Sequence, residues 1–152
     1  MAYASREARQ QLLETVAEAT DELAVAIAAL GAAYEQLDEQ SADRLEEELF
    51  RPVQAAYGRA KRTHAGFAER HGLAGRVFEP AGSGAPSRGV RELVDSAVDA
   101  VGEADLILSE LQDSMMPVEV GDAELRAGLA EVRELAGNLA EPARGFLRTL
   151  GR

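Results

Sequence analysis

Residues 13–37 read LETVAEATDELAVAIAALGAAYEQL, and the spacing of their apolar side chains decides the fold class. Leu13, Val16, Thr20, Leu23, Ile27, Leu30, Tyr34 and Leu37 follow one another at alternating steps of three and four. An α-helix turns once in about 3.6 residues, so this series lies along one side of the cylinder and forms a stripe for burial. Only Thr20 interrupts its apolar character. A half-buried strand would instead alternate at every second residue.

The same rule recurs three times. Leu45, Leu49, Val53, Ala56, Ala60, Thr63 and Phe67 form the second stripe. Val90, Val94, Ala97, Val101, Ala104, Leu108, Leu111 and Met115 form the third. Leu125, Leu129, Val132, Ala136, Leu139, Ala143, Phe146 and Leu150 form the fourth. The expected fold is all-α: one domain, an antiparallel up-down-up-down four-helix bundle with long helices at about 5–38, 42–71, 88–116 and 122–150.

Local punctuation supports these bounds. Ser41 and Ser87 precede helical runs as N-cap residues, and Gly72 follows the second run as a C′ residue. Pro117 ends the third helix. Pro52 and Pro142 fall inside stripes and predict kinks, because proline lacks the backbone donor and crowds the preceding turn. The first and third links are short, which predicts antiparallel hairpins. The second, 73–87, is long: Leu73, Val77 and Phe78 should fold over an open end of the bundle. Ala81–Ser87, with its Gly-Ser-Gly, reads as a flexible linker.

Charge suggests an order for the legs. Residues 1–40 hold eight acidic and two basic groups, net −6, and 88–116 hold seven and two, net −5. Residues 41–72 hold five and six, and 123–152 four and five, so each sums to +1. An up-down-up-down order sets the two acidic helices on a diagonal and lowers their repulsion, an effect of about 0.2–1 kcal/mol per exposed pair.

Several functions are disfavoured. The net charge of −11 argues against nucleic-acid partners. The uncharged run Leu23–Ala33 is shorter than the ~20 apolar residues of a membrane span, so no membrane insertion is expected. The first residues lack the apolar core of a signal peptide, and there is no cysteine; both favour a cytoplasmic protein. Usage heavy in Ala, Arg, Glu and Gly points to a GC-rich bacterial genome. Di-iron bundles need Glu-x-x-His, but Lys61 and Ala68 stand three positions before His64 and His71. Gly82-Ser-Gly-Ala-Pro lacks the lysine of a phosphate loop. No cofactor is expected, and no motif carries a family resemblance.

Two candidate sites remain. Thr20, Thr63, His64 and Ala97, with Ala140, are expected near one height as a layer of small or weakly polar residues, either tightly packed or hollow enough for a small ligand. Val25, Ala29 and Ala32 on the first helix and Leu106 on the third lie off the core stripes as an apolar face for a protein partner or a second copy. The preferred reading is a non-enzymatic interaction protein, a homodimer or an adaptor. A small-molecule-binding or regulatory bundle comes second, and a metal-dependent enzyme third. The run Arg59, Lys61, Arg62 is expected to pair with neighbouring acidic helices.

Overall fold

A computed structural model describes residues 2–80 and 88–150, and every regular element among them is helical. The first leg is α1, Ala2–Glu35. The second runs from α2, Glu39–Leu45, through a π-helical turn, Glu46–Phe50, into α3, Arg51–Arg70. The third is α4, Val90–Asp113, followed by the single turn α5, Met116–Glu119. The fourth is split into α6, Ala123–Ala136, and α7, Ala140–Leu150.

Caps and prolines explain where the observed bounds depart from the expected ones. Asp38, not Ser41, caps α2: its Oδ1 accepts the Ser41 backbone N–H at 2.8 Å. The expected cap Ser87 and the flexible stretch Ala81–Ser87 lie outside the described residues. Gly72 does close the second leg, at φ +64°, while the Leu73 N–H reaches the Ala68 carbonyl at 2.8 Å. Pro52 leaves the Glu48 carbonyl without its usual donor, and the π turn just before it absorbs the misfit. Pro117 would crowd the Asp113 carbonyl in a continuous helix, so α4 stops at Asp113, earlier than expected. Pro142 breaks the fourth leg rather than kinking it. Its ring would crowd the Asn138 carbonyl, and the chain leaves the helix at Gly137–Leu139.

Neighbours and directions follow from specific pairs. The most extensive packing is between α1 and α4, then between α3 and α6 and between α1 and α3, while α4 also meets α6 and α7. Arg6 donates to the Gly72 carbonyl at 3.2 Å, so α1 and α3 run antiparallel. At the other end of α1, Gln36 donates to the Arg88 carbonyl at 2.8 Å, and near its start Arg9 donates to the Val120 carbonyl at 3.0 Å. Hence α4 descends along α1. Arg70 grips Asp122 at 2.8 and 2.9 Å, and Arg59 pairs with Glu131 at 2.7 Å, so α6 climbs along α3.

The chain order is therefore up, down, down, up. This corrects the expected up-down-up-down order, although each pair of packed legs is still antiparallel. The link between α3 and α4 permits this order, since its 19 residues, 71–89, can when extended span more than the ~30 Å length of α3. Arg76 fastens it to α1 through Asp21 at 2.6 Å.

A second correction comes with the first: the two acidic helices are not diagonal but packed together. Burial outweighs their repulsion. On α1 a second set, Leu12, Ala19, Ala26 and Ala33, is buried beside the predicted stripe, and α4 buries Ala97, Ala100 and Ala104. The basic run pairs less than expected: Arg59 binds Glu131 of α6, whereas Lys61 lies 4.3 Å over the ring of its own neighbour Tyr57.

Asp122 is the busiest polar joint. Its Oδ1 caps α6 by accepting the Leu125 N–H at 2.8 Å, and its Oδ2 meets His71 Nε2 at 2.9 Å. Partial burial opposes its ionisation, but Arg70, the Leu125 N–H and His71 together hold the carboxyl far below the usual carboxylate range. Stability from this depressed group is complete above the unfolded value near pH 4 and declines as pH falls below it. Asp122→Ala should cost about 1–2 kcal/mol at pH 7 by urea unfolding, and the difference from wild type should shrink below about pH 4.

Candidate functional site

The structure does not gather the expected pocket into one layer. Thr20, Thr63, His64 and Ala97 are all buried. However, Glu22 on α1 is level with Glu103 on α4, which places Thr20 opposite Asp105 and Ala97 about 12 Å higher. Ala140 is exposed at the start of α7, beyond the break that separates it from α6. Thr20 Oγ1 donates to the Val16 carbonyl at 2.8 Å, and Thr63 Oγ1 donates to the Arg59 carbonyl at 2.8 Å while accepting from Arg59 Nη1 at 3.2 Å. Gly128 of α6 backs directly onto Thr63, leaving no room there for a Cβ. Around Thr63 the small residues serve close packing.

His64 has a different setting. It is only 3% exposed, and its Nδ1 has no hydrogen-bond partner among the described residues. The strap 73–80 covers it: Phe78 meets the imidazole edge-on, with centroids 4.9 Å apart, and Arg76 lies 4.5 Å above Phe78. Burial, with Arg76 nearby, lowers the His64 pKa, and Asp21 offsets this only in part. One turn pair earlier on α3, Tyr57 also buries an unpartnered hydroxyl; burial, Asp21 and Glu79 push its pKa up. Sequence reasoning missed Tyr57, because it lies off the predicted stripe.

The candidate interface is partly exposed. Val25 and Leu106 keep 48% and 50% of their surface in solvent, whereas Ala29 is 7% exposed and Ala32 half-buried. Both alanines lie closer to α4 than expected because the acidic helices are neighbours. Along the α1–α4 seam lie two clefts, of about 510 and 320 Å³. Val25, Ala28, Ala29, Leu93 and Ala100 supply apolar floor in the first. Its rims carry Glu22, Asp99 and Glu103, and the second cleft adds Glu18 and Glu110. None of these five carboxylates has an ion-pair partner among the described residues. Partial burial, reinforced by Glu103 and Asp21, raises the Glu22 pKa.

Among the described residues no group of three or more His, Asp or Glu side chains is placed to hold a metal ion, and no helix is long and apolar enough to cross a membrane. Compared with known proteins, the chain matches no family model, no curated sequence and no solved structure.

Two measurements check this geometry. Gly→Ala inside a helix ordinarily stabilises by up to about 1 kcal/mol, but Gly128→Ala should destabilise by about 1–3 kcal/mol in denaturant unfolding, since the methyl collides with Thr63. For His64 the sign is set by a lowered folded pKa. The unfolded chain takes up a proton below about pH 6.5 that the folded chain refuses, so stability falls as pH drops through that value. NMR titration should place His64 below its ordinary pKa, and Phe78→Ala should move it back upward by opening the strap.

Proposed function

We propose that this chain is a non-enzymatic helical-bundle interaction protein, an up-down-down-up arrangement of four antiparallel-packed legs that works through protein contacts at the α1–α4 face. The observation that carries this reading is the exposure of Val25 in a cleft between α1 and α4 with an apolar floor, together with the exposure of Leu106 on α4. Apolar side chains of that size in a groove lose little more freedom on binding and gain burial, which suits them to docking. The cysteine-free, acidic composition suits work in the cytoplasm, where we place it.

A second reading keeps one observation in its favour. The unpartnered Nδ1 of His64 and hydroxyl of Tyr57 under the strap support a small-molecule-binding or regulatory bundle, since buried polar atoms are ordinarily satisfied. It ranks second because Thr20, Thr63 and Ala97 do not join His64 around a common space.

A photo-crosslinking residue placed at Val25 in the native host tests the main reading. Discrete adducts are expected at Val25, absent when the same residue replaces the exposed Ala55 of α3, and lost when Leu106→Glu is added. Equal adducts at both positions, or none at either, would overturn it.

A further inference from the structure

From the charge around this groove we infer that its occupant is a basic amphipathic helix of another protein, not a second copy of this chain; the inference rests on the interaction reading above. The two clefts run from Gln11 to Ala29 along α1, a length of about 27 Å, which matches a helix of about 18 residues. The floor accepts apolar side chains, Val25 lines it half exposed, and Leu106, also half exposed, falls on α4 between the lining residues Glu103 and Ile107. A helix laid in the groove presents one apolar stripe downward and its flanking positions to the rims.

Those rims specify the sign of the flanks. Glu18, Glu22, Asp99, Glu103 and Glu110 line the seam from both helices, and among the described residues nothing neutralises them. Among the described residues Arg88 is the one cation lining either cleft, and it is already engaged by the Ser96 hydroxyl and by Glu92 at 3.9 Å. Ion pairs do bridge other seams of the bundle: Asp105 holds Arg133 at 2.9 Å between α4 and α6, and Asp122 holds Arg70 between the ends of α3 and α6, whereas among the described residues none bridges α1 and α4. Lysines or arginines flanking the apolar stripe of a partner would meet carboxylates that the fold leaves unmatched. A symmetric dimer through this face would set five carboxylates against five, which argues against a second copy.

The probe is a fluorescent peptide of about 18 residues built from leucine at helical spacing and lysine elsewhere, with a twin carrying glutamate for lysine. Anisotropy with the full chain should show binding of the lysine peptide alone, weakening as salt rises. Val25→Glu with Leu106→Glu should weaken it at least tenfold, although two added negative charges would strengthen mere charge attraction. Glu22→Gln with Glu103→Gln should weaken it several-fold and flatten the salt dependence. Because the chain has no cysteine, Leu106→Cys carries a single environment-sensitive dye, whose emission should shift on binding while the same dye on Ala55→Cys stays unchanged. Unaltered binding by the Val25, Leu106 double variant overturns the inference. Sedimentation separates the remaining outcomes. A dimer dissolved by Val25→Glu would overturn the basic-helix partner yet keep the interaction reading, whereas a monomer that ignores both peptides would sink the partner and leave the crosslinking result to judge the face.

Discussion

Small residues packed between α1 and α4 are the constraint from which the remaining architecture follows. Both helices are acidic along their length, and their charges alone would drive them apart. Each exposed like-charged pair costs a few tenths of a kcal/mol, while burial returns about 0.8 kcal/mol for every methylene-sized group removed from water. Ala19, Ala26 and Ala33 on one helix and Ala97, Ala100 and Ala104 on the other are nearly inaccessible. Side chains this small let backbones approach closely, and contact accumulates along more than twenty residues of α4. Repulsion is spread over a solvated rim; attraction is concentrated in the seam. The seam wins.

Once α4 lies along α1 in the descending direction, the link must climb the bundle, and it comes to rest over α3. Residues 73–80 cover His64 and form the Arg76–Asp21 clasp. The fourth leg then has one remaining position, against α3 and α4, where Arg59, Arg70 and Arg133 each find a carboxylate. The polar network on that side is thus a consequence of chain order as well as of local sequence.

Fold class was legible because four stripes shared one period, and period alone separates helix from strand. Val16, Leu23, Val101 and Val132 are buried where the stripes placed them. Chain order was not legible, for two reasons. Pairwise surface charge is too weak a term to rank topologies, and a link of 19 residues permits both a return and a climb. The single-stripe reading of α1 also hid its second neighbour: Ala29 was assigned to an outer face because alanine is equally at home inside and out. Val25 and Leu106 were legible as exposed apolar residues, since each falls midway between two stripe residues, Leu23 and Ile27 or Ala104 and Leu108, and so faces away from the stripe. What could not be read was that Val25 lines a groove, because that depends on α1 and α4 being adjacent.

The carboxylates around that groove line a seam that no ion pair crosses among the described residues, unlike the α3–α6 and α4–α6 seams. Helix caps, the Gly72 terminus, the proline breaks and the arginine pairs all agree with the fold, as expected of a minimally frustrated chain. At the α1–α4 rim the agreement fails. Glu22 loses hydration to burial and shares a cleft with Glu103, although a lysine at either position would replace their repulsion with an ion pair. Helix propensity does not explain the choice, since lysine and glutamate are nearly equal in that respect. Solubility does not explain it either, because the chain is strongly acidic without these residues. Charge of one sign set beside apolar floor is the feature that the proposed basic helix would complement.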